Sequence, residues 1–78
     1  MATKFKRLDV RKLLASGIEP LPEIRKRVSA LGPEQGITII APFLPSPLIE
    51  LLQGEGFQSR VERQPDGGWA VHFSRDEA

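Results

Sequence analysis

The run Gly36-Ile37-Thr38-Ile39-Ile40-Ala41 constrains this chain more than any other feature. It is β-branched or apolar at nearly every position, so it reads as a strand covered on both sides or lying centrally in a sheet. The chain has only 78 residues. A polypeptide of that size buries only about 60% of the surface it exposes unfolded, so it sustains one thin core and one domain. Pro42 and Pro45 end the strand, and the apolar stretch over residues 37–44 is far short of the roughly 20 residues a membrane-spanning helix needs.

The flanking periodicities supply the other elements. Phe5 to Asp9 alternates as a short first strand, and Val10, Leu13 and Leu14 before Gly17 suit a single helical turn. Pro20 and Pro22 open a helix in which Leu21, Ile24, Val28 and Leu31 form one buried stripe, predicted over Pro20 to Leu31 and stopped by Gly32-Pro33. Ser46 before Pro47 reads as the N-cap of a second helix carrying Leu48, Ile49, Leu51 and Leu52. Phe57 to Gln64 and Trp69 to Phe73 alternate on either side of Pro65-Asp66-Gly67-Gly68, which makes a hairpin. Residues 74–78 read as a frayed polar tail. The order β-α-β-α-β-β predicts a two-layer α/β sandwich with two helices on one face of the sheet and the other face open, in one domain over 1–78 with its ordered core at about 5–74.

Composition excludes whole classes of chemistry. Cysteine is absent, which removes disulfides, thiolate metal sites, iron–sulfur clusters and a cysteine nucleophile from this chain; a single His rules out a multi-histidine centre. Eleven basic against ten acidic residues leave a net charge of +1, so no strong field points to nucleic acid or an anionic membrane. The basic N-terminal stretch runs into Leu8-Asp9-Val10-Arg11 rather than an apolar segment, so no signal peptide and a cytoplasmic location are expected.

Leu8-Asp9-Val10-Arg11, the Pro-x-Pro at Pro20 and Pro22, the glycine before Ile37–Ala41 and the C-terminal hairpin resemble the TusA/SirA-like superfamily. Within it, Glu19-Pro20-Leu21-Pro22-Glu23-Ile24 and Ala41-Pro42-Phe43-Leu44-Pro45-Ser46-Pro47 are similar to a bacterial family of unknown function. The resemblance implies a mixed four-stranded sheet of order 1-2-4-3. The sulfur carriers of that superfamily hold a cysteine before the Pro-x-Pro, where the helix N-terminus stabilises a thiolate. Here Glu19 stands in its place, and the connection from Asp9 is longer than the carrier pattern. A carboxylate cannot form a persulfide, so sulfur transfer by that mechanism is not expected. Some members of the unknown-function family carry a His-bearing segment after the second strand; Ala41 to Pro45 has none, and no such role is inherited.

Several residues remain as interaction candidates. Glu19 is either a dipole-complementing acid or part of a recognition patch with Pro20 and Pro22. Asp9 and Arg11 either brace the first loop or contact a ligand. Arg25-Lys26-Arg27 is a solvated helix face or a weak RNA-binding face, with no aromatic residues interleaved. On the open sheet face, Ile40 and Ala70 among Thr38, Arg60, Glu62 and His72 suggest a docking or dimerisation surface, His72 itself facing solvent. The expectation is a non-catalytic module without cofactor or metal, monomeric or weakly dimeric, that binds a protein partner or regulates. RNA binding, or an accessory role in sulfur or redox metabolism, are the alternatives.

Overall fold

In the computed structural model, which describes residues 4–75, the elements follow as β1 (Lys4–Asp9), α1 (Val10–Ala15), α2 (Pro20–Ser29), β2 (Gln35–Ala41), α3 (Ser46–Gly54), β3 (Phe57–Arg63) and β4 (Trp69–Arg75). The sheet order is β1-β2-β4-β3. β1 and β2 are parallel, and β4 runs antiparallel to both of its neighbours. The apolar run thus occupies an interior strand, as its composition requires, and the expected order 1-2-4-3 holds.

Register assigns the two faces. Lys6 and Leu8 pair with Ile37 and Ile39, which pair in turn with Phe73 and Val71. These rows face the helices, and Leu8, Val10, Ile24, Val28, Leu52 and Phe57 join Ile37, Ile39, Val71 and Phe73 in one buried cluster. The helix stripe read from the sequence delivers Ile24 and Val28 to this core, with Leu31 packed at its edge. Leu21, the first residue of that stripe, does not reach it.

Four further details differ from the sequence reading. The single turn after β1 is a six-residue helix, giving three helices rather than two. Asp9 lengthens it by accepting a hydrogen bond from the Arg11 backbone N–H (3.0 Å) as its N-cap. Ser46 does not cap α3: Pro45 takes the N-cap position, and no side chain caps that helix. Ile40 and Ala70 are not exposed on the open face, being only 3% and 1% accessible. They lie side by side between Asp9 and Glu62 in register, and the Arg11 guanidinium closes over neighbouring Gly68. Neither side chain therefore adds exposed apolar surface to that face. Finally, β4 extends through Ser74 and Arg75, so the tail does not begin at 74; residues 76–78 of it lie outside the described residues.

Candidate functional site

The proline-rich segments that flank β2 shape an apolar groove on the helix layer. Pro20 and Pro22 start α2, where a missing N–H leaves no intrahelical bond unmade. The β2–α3 connection bends at Pro42 and Phe43, and Pro47 starts α3. Between them lies a cavity of about 420 Å³ with Ile39 and Ala41 of β2 as its floor. Its walls are Val10 and Leu14 from α1, Leu21 and Ile24 from α2, and Leu48 and Leu51 from α3, with Phe43 beside them. It opens at the carboxyl ends of the parallel strands β1 and β2, where open α/β sheets commonly bind ligands.

The groove continues into an exposed apolar rim. Leu21 is 37% accessible, Leu51 37% and Phe43 56%, and Leu14, Ile18 and Leu44 are also exposed. A domain this small gains most by burying such side chains, so the exposed Leu14, Leu21, Phe43 and Leu51 around one concavity make it the candidate site. Arg25 of α2 makes two hydrogen bonds to Glu55 Oε2 beyond the end of α3 (3.0 and 2.9 Å). These residues lie one turn beyond Leu21 and Leu51, so the ion pair ties the groove walls together. Glu19 sits at the N-cap of α2, exposed and without a side-chain capping bond. Glu50, next to Leu51, is also exposed, and neither carboxylate has an ion-pair partner among the described residues.

Asp9 and Arg11 belong to a separate clasp. The Arg11 guanidinium bridges Asp9 (2.9 Å) and Asp66 (2.6 Å), linking the β1–α1 junction to the β3–β4 turn. Hydrogen bonding to Arg11 holds the carboxyls of Asp9 and Asp66 below the usual range, and the two carboxylates in turn raise the Arg11 pKa. Asp66 also caps the turn by accepting from the Gly68 N–H (3.0 Å). All three side chains are engaged with one another, which makes this a brace rather than an open ligand site.

On the open face, His72 is held from both sides and does not simply face solvent. Its Nδ1 is 2.8 Å from Thr38 Oγ1 and its Nε2 is 2.9 Å from Glu62 Oε1. A carboxylate only accepts, so in the neutral ring Nε2–H donates to Glu62, and Nδ1 accepts from the Thr38 hydroxyl. This alcohol–imidazole–carboxylate chain has the order of a hydrolytic relay. Yet Thr38 is only 9% accessible in the middle of the sheet. The backbone around it is committed to ladders with β1 and β4, which leaves no free N–H pair for an oxyanion. The chain therefore orients His72. Among the described residues, no three His, Cys, Asp or Glu converge as a metal site.

A family model described as an uncharacterized conserved protein (DUF2249) matches residues 7–75. The chain belongs to that family. No curated protein and no solved structure gives a significant match. Like the rest of the DUF2249 domain, the groove and the clasp fall inside the matched span.

The candidates named from sequence therefore scatter over the molecule. Pro20 lines the groove, while Glu19 and Arg25 lie at its margins; Asp9 and Arg11 form the clasp; Arg60 and His72 sit on the opposite sheet face, where Ile40 is buried. Sequence reasoning missed the groove because four separate elements and a loop contribute to it. One signal was available: Phe43-Leu44, two large apolar residues in a loop bracketed by prolines.

Proposed function

We propose that this DUF2249 domain is a non-catalytic binding module of the cytoplasm that takes an apolar, basic-flanked segment of a partner protein into the groove between α2 and α3. The observation that carries the reading is the groove itself: its lining is apolar throughout, and large hydrophobic side chains stay exposed around it. Pockets for small metabolites add a few convergent polar groups to fix orientation, and this one has none. An amphipathic helix or extended apolar segment needs no such anchors. The exposed, unpaired carboxylate of Glu19, next to the lining residue Pro20, favours a segment flanked by Lys or Arg. A TusA/SirA-like kinship agrees with the 1-2-4-3 sheet and with Pro20-x-Pro22 at the start of α2. With Glu19 where a carrier thiol would stand, this module recognises its partner without covalent sulfur chemistry.

Site-specific photocrosslinking in cells tests the reading. A crosslinking residue at Phe43 is expected to give one dominant adduct whose partner peptide is apolar with basic flanks. The same residue at Ser29, on the outer surface of α2, is expected to give none. No adduct at position 43, equal labelling at 29, or an adduct with a second copy of this chain refutes the proposal.

A further inference from the structure

The open sheet face presents an aromatic and cationic arrangement that the groove does not use. The register aligns Arg7, Thr38, His72 and Arg60 in one row across all four strands. Three interstrand spacings separate the two arginines, roughly 14 Å between their backbones. One row along, Phe5 pairs with Gly36. Gly36 has no side chain, and a Cβ there would stand 2.5 Å from Phe5 Cε1. The missing side chain lets the phenyl ring lie across β2 and meet the His72 ring edge-on, with centroids 5.6 Å apart.

Phe5 nevertheless remains 44% accessible. Together with Arg60, His72, Gln58 and Ser74 it lines a shallow depression of about 300 Å³. Of the acids on this face, Asp9 is paired with Arg11 and Glu62 accepts a hydrogen bond from His72. Arg7 and Arg60 are exposed and form no ion pair among the described residues.

We propose that this face binds single-stranded nucleic acid, with a base stacked on Phe5 beside His72 and backbone phosphates held by Arg7 and Arg60. A sheet backed by helices on one side and carrying aromatic side chains on the other is a general solution for unstacked bases. Stacking tolerates any base, and two arginines supply a sequence-independent electrostatic term. Gln58 and Ser74 offer amide and hydroxyl groups to a base edge at the rim of the depression. A duplex holds its bases inside and offers nothing to stack on Phe5, so it is excluded. This surface is distinct from the basic outer face of α2, where no aromatic residue lies near Lys26.

Fluorescence anisotropy with short labelled RNA, the matching DNA and a hairpin duplex, at about 50 and 200 mM salt, reads the proposal. Single strands are expected to bind and the duplex not to. RNA binding more tightly than DNA points to contact with the 2′-hydroxyl, and equal affinities to stacking and phosphate contact alone; both outcomes support the site. Phe5→Ala is expected to weaken binding roughly 5- to 140-fold, and Phe5→Trp to restore it. Arg60→Gln is expected to lower the salt slope by about 0.7, while Lys26→Gln leaves it unchanged. Circular dichroism confirms that each variant folds. The proposal is overturned by no binding up to about 1 mM protein, by equal binding of the duplex, by a folded Phe5→Ala protein of unchanged affinity, or by a loss with Lys26→Gln equal to that with Arg60→Gln. Binding of an acidic peptide in place of the oligonucleotide overturns it equally.

Discussion

Gly36→Ala tests the contact on which the sheet face depends. The added methyl would lie 2.5 Å from Phe5 Cε1 and 2.6 Å from the Phe73 carbonyl oxygen. The two collisions resolve differently. The Phe5 ring ends a flexible side chain and can swing outward, exposing about half of the apolar area it covers; at about 25 cal/mol per Å², that costs about 1–2 kcal/mol. The Phe73 carbonyl is backbone of the adjoining strand, so β2 and β4 must separate, and overpacking of this kind costs about 1–3 kcal/mol. Replacing glycine restrains the unfolded chain and returns about 0.5–1 kcal/mol.

The net expectation is a loss of about 2–4 kcal/mol, against roughly 4–12 kcal/mol of total stability for a domain of this length. Urea denaturation followed by Trp69 fluorescence should show the midpoint fall by roughly 1.5–2.5 M with little change in slope. The double variant with Phe5→Ala removes the ring collision but keeps the backbone one, so the pair should be coupled by about 1–2 kcal/mol. A Gly36→Ala protein with the wild-type midpoint, or strictly additive effects, refutes the placement of Phe5 over Gly36. Loss of oligonucleotide binding in Gly36→Ala should accompany the stability change, since the ring would leave His72.

Two other perturbations separate brace and groove from core. Leu52 is fully buried and Leu51 lies on the groove rim; Leu52→Ala should cost about 2–5 kcal/mol in urea denaturation, and Leu51→Ala less than about 1 kcal/mol. Equal losses would mean that Leu51 is core rather than binding surface. Arg11→Gln should lower the melting temperature at pH 7, with the gap to wild type closing as pH falls below about 4. The Asp9 and Asp66 carboxyls are depressed in the folded state. Their contribution is therefore present above the unfolded carboxylate value near 3.9 and disappears as pH falls through the folded value. A gap that persists unchanged to pH 2 in thermal melts contradicts the clasp.

The sheet was legible because period-two and 3.6-residue patterns report which side of an element is buried. Ile37–Ala41, the hairpin around Asp66-Gly67 and the Ile24/Val28 stripe all landed where those periods put them. The patterns failed where burial depends on neighbours remote in sequence. Ile40 and Ala70 alternate like outward residues, yet they fill the space between Asp9 and Glu62 under the reach of Arg11. Leu21 and Leu51 keep helical spacing with core residues, yet α2 and α3 stand apart and leave both on a rim. Phe5 reads in the sequence only as the start of an alternating strand, and the β1–β2 register brings it against Gly36 and His72.

Most carboxylates of the described residues are paired. Asp9 and Asp66 are tied to Arg11, Glu23 to Arg27, Glu55 to Arg25 and Glu62 to His72. Arg7 and Arg60, which form no ion pair among the described residues, stand in the row beside Phe5 and His72 on the reverse of the sheet. Alternation along β2 keeps this row apart from the groove, with Ile39 flooring the groove and Thr38 facing the other way. One thin sheet therefore carries an apolar groove on its helix side and an aromatic, cationic row on its other side, and a substitution on either side of β2 perturbs its own surface first.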